Sequence, residues 1–157
     1  MTATSTTARP LRLQTGHVGL NVVDLDRSLR FYQDVFGFVI VSESSEAGRR
    51  FAFLGDGDRL VLTLWEQSSG AFDPARPGLH HLSFQAASID DVRTFERRLR
   101  DRGSVLLHDG VVPHGEGADS GGIFFVDPDG TRLEIFSPTG AAGRPAPIFD
   151  APTCGFF

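Results

Sequence analysis

A chain of 157 residues and 17.0 kDa is long enough for one ordinary domain, or for two small modules that share a core. Fifteen basic and twenty acidic side chains give a formal net charge of −5, which argues against a protein that grips nucleic-acid phosphates. The apolar runs are far shorter than the ~20 residues of a membrane span. One cysteine, Cys154, excludes an internal disulfide and a cysteine-rich zinc site, so we expect a cytoplasmic protein.

The two ends of the chain carry no periodic pattern. Residues 1–14 are rich in Thr, Ser and Ala, which predicts a flexible N-terminal tail. Residues 138–157 are rich in Pro and Gly, which predicts an extended C-terminal tail. Its last residues, Phe156 and Phe157, form an aromatic pair that could dock on a surface or on a neighbouring subunit.

The segment between the tails is an internal repeat. One copy begins at His17 (His-Val-Gly-Leu-Asn-Val-Val-Asp) and the other at His81 (His-Leu-Ser-Phe-Gln-Ala-Ala-Ser), 64 residues later. Apolar residues at helical spacing follow each start, and Gly37 and Gly103 are predicted to end these helices. Strand-like runs then follow at 38–43, 50–54 and 59–65 in the first copy, and at 105–107, 122–126 and 132–136 in the second.

Each copy therefore predicts a strand–helix–strand–strand–strand module, with module one at 15–66, a linker at 67–78 and module two at 79–137. One helix covers only one face of a four-stranded sheet. Two modules can cover the remaining faces against each other, which predicts an α+β fold with an eight-stranded half-barrel and helices outside. The alternative is a pair of unrelated small α+β halves.

Three polar side chains stand out on these strands. Alternation along a strand places His17 and His81 on the faces opposite the apolar residues beneath the helices. Glu134, between Leu133 and Ile135, points away from the apolar face by the same rule, and a buried carboxylate needs a partner. Two histidines and one carboxylate that converge in a cavity form a common set for a divalent metal ion. Taken singly, each histidine could instead be a structural core residue.

The sequence resembles the vicinal oxygen chelate superfamily, which includes glyoxalase I, extradiol dioxygenases, and the fosfomycin- and bleomycin-resistance proteins. The resemblance covers roughly residues 14 to 137 and is carried by residues 17–38, 78–84 and 125–134. It implies paired modules that hold one divalent metal ion between them, with His17, His81 and Glu134 as ligands. His80 competes with His81, but parity turns His80 toward the helix side, and the family pattern places the ligand directly before Leu-Ser-Phe.

Residues near the predicted ligands narrow the choice within the family. Glyoxalase I has a fourth ligand, a carboxylate on the last strand of module one, where this chain has Val61 or Thr63. A lactoylglutathione lyase is therefore disfavoured. A phosphonate substrate is also disfavoured, because no Lys or Arg lies between Gly103 and Thr131 to neutralise it.

The second-module pattern of the extradiol dioxygenases is narrowly missed, and the comparison adds His114 and Phe124 as predicted substrate-pocket residues. Their second module has a His, a gap of five to seven residues, an apolar residue and then a Tyr. Here the gap from His114 to Ile123 is eight residues, and Phe124 occupies the Tyr position. His114 is then a second-sphere acid–base group, or alternatively an exposed loop histidine.

Together these features predict a metal-dependent enzyme for a small hydrophobic or aromatic substrate that chelates the ion through adjacent oxygens. Fe²⁺ or Mn²⁺ is favoured, with Zn²⁺ or Ni²⁺ as alternatives. A dioxygenase-like reaction is the preferred prediction, and a lyase or isomerase reaction is the next alternative. The alternative from another class is a small-molecule or antibiotic-binding protein without catalysis. We expect a homodimer, by analogy with the family, and neither a nucleic-acid nor a membrane partner.

Overall fold

The computed structural model describes residues 13–155, so most of the predicted N-terminal tail, and Phe156 and Phe157, lie outside the described residues. Module one consists of β1 (Val18–Asn21), α1 (Leu25–Phe36), β2 (Val39–Ser44), β3 (Phe51–Gly55) and β4 (Leu60–Trp65). Module two consists of β5 (Leu82–Gln85), α2 (Ile89–Asp101), β6 (Val112–Pro113), β7 (Gly121–Val126) and β8 (Arg132–Ser137). A single 3₁₀ turn, Thr153–Gly155, follows.

Each module forms a four-stranded sheet with the same strand order. The orders are β1-β4-β3-β2 and β5-β8-β7-β6. The first strand of each module lies parallel to its last strand, and the other pairs are antiparallel. The repeat in the sequence is therefore a repeat in structure, and the predicted α+β fold of two tandem βαβββ modules is confirmed.

The position of one strand in module two differs from the prediction. The run at 105–107 forms only an isolated bridge, between Leu106 and Phe125. The strand that pairs with β7 is β6, in which Val112 lies opposite Gly122. Leu106 packs against the core, whereas Val105 and Leu107 on either side of it are 63% and 36% exposed, so the run contributes only this one bridge to the sheet.

Capping residues set the bounds of the two helices. Asp24 accepts a hydrogen bond from the N–H of Arg27 at the start of α1, and Ser88 does the same for Asp91 at the start of α2. Gly37 ends α1 as predicted, in the left-handed conformation with φ of 73°. Within residues 13–155, neither helix is long and apolar enough to cross a bilayer.

The two modules share one apolar core, and α1 contributes to both. The ring centroids of Phe36 and Phe84 lie 4.8 Å apart, and those of Phe31 and Phe125 lie 6.4 Å apart, so α1 contacts the inner face of the second sheet. Buried residues of β1, β3, β4, β7 and β8 complete the same cluster. Because strand side chains alternate, the residues between these buried positions lie on an open face of each sheet, opposite the shared core.

The turn between β7 and β8 fastens module two to α1. The buried Tyr32 hydroxyl donates a hydrogen bond to Asp127 Oδ2 at 2.9 Å. Asp129 forms an ion pair with Arg27 and accepts a hydrogen bond from the N–H of Val23 at 3.0 Å. Burial and the neighbouring Asp127 carboxylate raise the pKa of Tyr32 well above its ordinary value, so the phenol remains a neutral donor.

Strand β2 forms the outer edge of module one, and its apolar side chains face solvent. Val39, Ile40 and Val41 are 52%, 38% and 62% exposed. The pairing of β2 with β3 shifts register between Ile40 and Ser42. Module one therefore presents an apolar but irregular edge.

Replacing Tyr32 by Phe removes the hydroxyl that Asp127 accepts from, and we expect the free energy of unfolding to fall by about 1–3 kcal/mol. Urea denaturation measures the change. Arg76→Ala is the control, because its ion pair with Asp73 joins side chains that are 82% and 46% exposed, and we expect a loss below about 1 kcal/mol. Equal stability of the Tyr32→Phe variant and the native protein would show that the turn does not fasten the modules.

Candidate functional site

Glu134 is a buried carboxylate on the open face of the second sheet. It lies in β8, between Ser83 of β5 and Phe124 of β7. Its side chain is only 4% exposed. An ionised carboxylate with so little access to water requires hydrogen-bond donors or positive charge around it.

Two imidazoles lie against the two oxygens of this carboxylate. His114 Nε2 lies 2.6 Å from Glu134 Oε1, and His81 Nε2 lies 3.5 Å from Oε2. Burial raises the pKa of Glu134, but hydrogen bonds from His114 and Ser83 outweigh burial and hold this pKa below its ordinary value. The carboxylate is therefore ionised at neutral pH, and His114 Nε2 carries the proton of the bond, since an ionised carboxylate can only accept.

His81 presents one nitrogen to Glu134 while the other is engaged. Its Nδ1 lies 2.8 Å from Nδ1 of His80, so its Nε2 faces the carboxylate. Burial lowers the pKa of His81, against the opposing effect of the Glu134 charge, so the ring is neutral at neutral pH. A neutral imidazole whose orientation is fixed through its other nitrogen is the form that binds metal ions.

The spacing of these two groups fits a shared divalent ion. Two ligand atoms at about 2.1 Å from one ion, at angles of 90–109°, lie about 3.0–3.4 Å apart. The 3.5 Å from His81 Nε2 to Glu134 Oε2 is close to this separation and long for a hydrogen bond. His114 at 2.6 Å from Oε1 is instead a hydrogen-bond partner that orients the carboxylate.

His17 does not join this cluster within one chain. It is exposed just before β1 and lines a separate cavity of about 350 Å³ with residues 59–62 and 82–84. Within residues 13–155, no group of three or more His, Cys, Asp or Glu residues is arranged to hold a metal ion. The structure thus brings His81, His114 and Glu134 together, and the predicted set of His17, His81 and Glu134 is not assembled by a single chain.

Phe124 packs beside Glu134, and its ring also contacts His108, a histidine that was not predicted from the sequence. Its ring centroid lies 6.3 Å from that of His114 and 5.5 Å from that of His108. The Nε2 atom of His108 is buried and has no hydrogen-bond partner. His108 lies in the irregular segment between α2 and β6 of module two, so no sequence signal distinguished it from an ordinary loop residue.

The open face of module one carries an aromatic cluster instead of a carboxylate. The ring centroids of Phe51, Phe53 and Trp65 lie 5.2–5.8 Å from one another. Trp65 Nε1 donates a hydrogen bond to Thr63 Oγ1 at 3.0 Å, next to Gly19 of β1. This face is therefore suited to a flat apolar group.

Glu66, the acidic residue nearest this aromatic cluster in sequence, has a structural role. Its Oε2 accepts a hydrogen bond from the N–H of Leu25 at 2.8 Å, at the start of α1. The same oxygen pairs with Arg50 Nη1 at 2.9 Å. Glu66 is thus occupied by the helix start, and Val61 and Thr63 of β4 carry no carboxylate.

Comparison with known families agrees with this architecture. The family model described as "Glyoxalase/Bleomycin resistance protein/Dioxygenase superfamily" matches residues 14–135. The chain belongs to this superfamily. The resemblance predicted from the repeated motifs is thereby confirmed.

Curated relatives in this superfamily carry several different activities. A catechol-2,3-dioxygenase from Bacillus subtilis is 29% identical over 124 residues, which cover 78% of this chain but only 40% of that protein. A lactoylglutathione lyase from Neisseria meningitidis is 33% identical over 123 residues, which cover 76% of this chain and 86% of the relative. Among solved structures, a glyoxylase/bleomycin resistance protein/dioxygenase domain from Frankia sp. matches with a TM-score of 0.69 at 28% identity, covering 81% of this chain and 98% of that one.

Gly122 keeps β7 close enough to β8 to hold Phe124 beside Glu134, and Gly122→Ala tests this contact. An added Cβ would lie 2.4 Å from the carbonyl oxygen of Ile135 and 2.9 Å from Cα of Phe136. Backbone atoms cannot move aside cheaply, so we expect a loss of at least about 1–3 kcal/mol in unfolding free energy.

Gly70→Ala is the matched control, because nothing lies within 4 Å of its Cβ and its φ is not positive. Its stability should stay within about 0.5 kcal/mol of native. Thermal and urea unfolding measure both variants. If the two substitutions had the same effect, β7 and β8 would not be in close contact at Gly122.

Proposed function

We propose that this protein is a metal-dependent enzyme whose divalent ion is bound by His81 and Glu134 of one chain and by His17 of a second copy. The observation that carries the proposal is the buried, ionised Glu134 carboxylate with the neutral His81 Nε2 at 3.5 Å from it. Two histidines and one carboxylate with open coordination positions are a frequent site for non-haem iron and related divalent ions.

The position of the open faces supports a role for a second copy in the proposed centre. Val18 and Leu20 pack toward the core, so His17 belongs to the opposite face of β1. Leu133 and Ile135 pack toward the same core, so Glu134 also lies opposite it, on the other sheet. A two-fold dimer that joins the open face of module one to that of module two in the partner forms two identical sites.

Such a dimer also accounts for apolar surface that a single chain leaves uncovered. The exposed residues Val39, Ile40 and Val41 and the half-buried cluster of Phe51, Phe53 and Trp65 belong to module one. Pairing open faces between copies brings one four-stranded sheet from each chain to each site. Aromatic residues at the centre of a contact are the side chains that contribute most to binding.

The residues around the site suit a small hydrophobic or aromatic substrate with two adjacent oxygens. A bound ion supplies a Lewis acid and a template for those oxygens, with Fe²⁺ or Mn²⁺ favoured. His114 holds a proton at Nε2, next to the reacting groups, where it can exchange protons with the substrate. Phe124 excludes water beside Glu134, and the aromatic cluster of module one offers a flat apolar surface.

A dioxygenase-like reaction is the leading candidate. Support comes from the ligand set and from the absence of an acidic residue at the Val61 and Thr63 positions. It also comes from the similarity to a catechol-2,3-dioxygenase, although the chain spans only 40% of that protein. A lyase or isomerase reaction is the second candidate, and the 33% identity to a lactoylglutathione lyase favours it.

A binding protein without catalysis is the second candidate function, favoured by the lack of a complete metal-binding group within residues 13–155 of one chain. Such a protein would bind a small molecule, for example an antibiotic, against the aromatic cluster. The cytoplasmic location and the lack of nucleic-acid or membrane partners stay predictions from composition.

Metal analysis after anaerobic purification tests the proposed centre. We expect close to one Fe²⁺ or Mn²⁺ per chain, and a loss of affinity of at least about 100-fold in His81→Ala and Glu134→Gln. Glu46→Gln is the control, because the Glu46 side chain is 66% exposed and belongs to a loop. Full metal retention in Glu134→Gln would refute the ligand assignment. A metal-free native protein that binds catechols tightly would favour the binding protein instead.

Oxygen uptake with a panel of catechols tests the reaction. We expect catechol-dependent oxygen consumption by the iron-loaded protein and its loss in Glu134→Gln, because the ion would no longer be held. Glu46→Gln should consume oxygen at the native rate. A metal-loaded protein that consumes no oxygen with any catechol would overturn the dioxygenase-like reaction and leave the lyase or isomerase reaction.

Mixing two inactive variants tests whether two chains share the centre. A hybrid dimer of His17→Ala and Glu134→Ala chains has one intact site if ligands come from both chains, and none if they come from one. Random refolding of an equal mixture should therefore restore about a quarter of the native metal content. Each variant alone should bind no metal. A mixture that also binds none would refute sharing between chains.

A further inference from the structure

The C-terminal segment, residues 138–155, returns along module two. The N–H of Ala141 donates to the carbonyl of Asp119 at 2.8 Å, and Arg144 Nη1 donates to the carbonyl of Val111 at 3.0 Å. Ala141 is 1% exposed, so this contact is a packed one. The family match ends at residue 135, before this segment begins.

Thr153 fastens the end of this segment to the backbone beside β6. Its N–H donates to the carbonyl of His114 at 2.9 Å, and its Oγ1 donates to the carbonyl of Pro113 at 2.7 Å. The Thr153 residue is completely buried. Because β6 is only two residues long, these two carbonyls obtain partners from the C-terminal segment.

The backbone that Thr153 holds carries the imidazole that orients Glu134. The N–H of His114 is bonded to the carbonyl of Ser120, while its ring contacts Ser120 Oγ at 3.0 Å and Glu134 Oε1 at 2.6 Å. Burial and the charge of the Glu134 carboxylate raise the pKa of the thiol of Cys154, which directly follows Thr153. The end of the segment is therefore bonded to the backbone that positions the imidazole beside the carboxylate.

We propose that Thr153 is a positioning residue, which holds His114 in contact with Glu134 by tying the C-terminal segment to the carbonyls of Pro113 and His114. Loss of the Thr153 hydroxyl loosens both the segment and the imidazole. This proposal rests on the proposed function, because the carboxylate that His114 orients is there a ligand of the metal ion. Its tests use metal-free protein, so they remain decisive even if the native chain binds no metal.

Reactivity of the thiol reports whether the segment is docked. Cys154 is the only cysteine of the chain, so a thiol-specific chromogenic disulfide reacts at one site. In Thr153→Val, which loses the bond to Pro113, we expect Cys154 to react about tenfold faster than in native protein at the same pH. Thr153→Ser keeps the hydroxyl and should restore the native rate. Thr139→Val, an exposed position of the same segment, is the matched control and should react at the native rate.

Nuclear magnetic resonance of the imidazole protons reports whether His114 is held. The hydrogen-bonded Nε2 proton of His114 should give a slowly exchanging signal in native protein, assigned by its absence in His114→Gln. We expect this signal in Thr153→Ser and Thr139→Val and its loss by exchange in Thr153→Val. A purely structural role for Thr153 would change the stability of the segment without removing this signal.

The outcomes of these experiments distinguish the positioning role of Thr153 from the proposed metal-dependent function. Faster thiol reaction together with loss of the His114 signal supports the proposal. Faster reaction with the signal retained, or no change in either, overturns it. If Thr153→Val does not fold, amide hydrogen exchange of the native chain replaces it as the test. Exchange of the Thr153 amide at the rate of an unstructured peptide overturns the proposal. Protection of this amide, together with the native His114 signal, supports it. Lack of Mn²⁺ binding by the native protein counts against the proposed function alone.

Discussion

The buried carboxylate of Glu134 is the charge around which module two is arranged. An ionised group with 4% of its side chain exposed is stable only when donors surround it. The strand order β5-β8-β7-β6 places Glu134 in an inner strand and allows Ser83 and His81 to approach from one side and His114 from the other. The sheet topology thus brings donors from two different segments, one at β5 and one after β6, to the same carboxylate.

The packing of the modules decides which side chains can meet. Phe31 and Phe36 of α1 pack against the inner face of the second sheet, and Tyr32 fastens α1 to the turn at Asp127. Because the core lies between the modules, the histidine of module one and the carboxylate of module two lie on faces opposite it. The same packing that stabilises one chain therefore separates the ligands that the sequence predicts to act together.

Local patterns predicted much of the fold and part of the site. The repeat identified two βαβββ modules, and strand alternation placed Glu134 and His81 on one open face, because both features depend on a few neighbouring residues. The separation of His17 from Glu134 was not predictable, since it depends on contacts between modules. The return of Thr153 to β6 was also hidden, because it is bonded to backbone carbonyls, which any sequence has.

The irregular edge at β2 has a consequence for how copies of this chain associate at high concentration. A straight apolar edge strand offers an evenly spaced row of N–H and C=O groups, on which further chains can add without limit. The register shift between Ile40 and Ser42 makes the spacing of these backbone groups irregular, while the exposed side chains of Val39 and Val41 keep the edge apolar. The edge of module one is therefore a poor template for the regular addition of further strands.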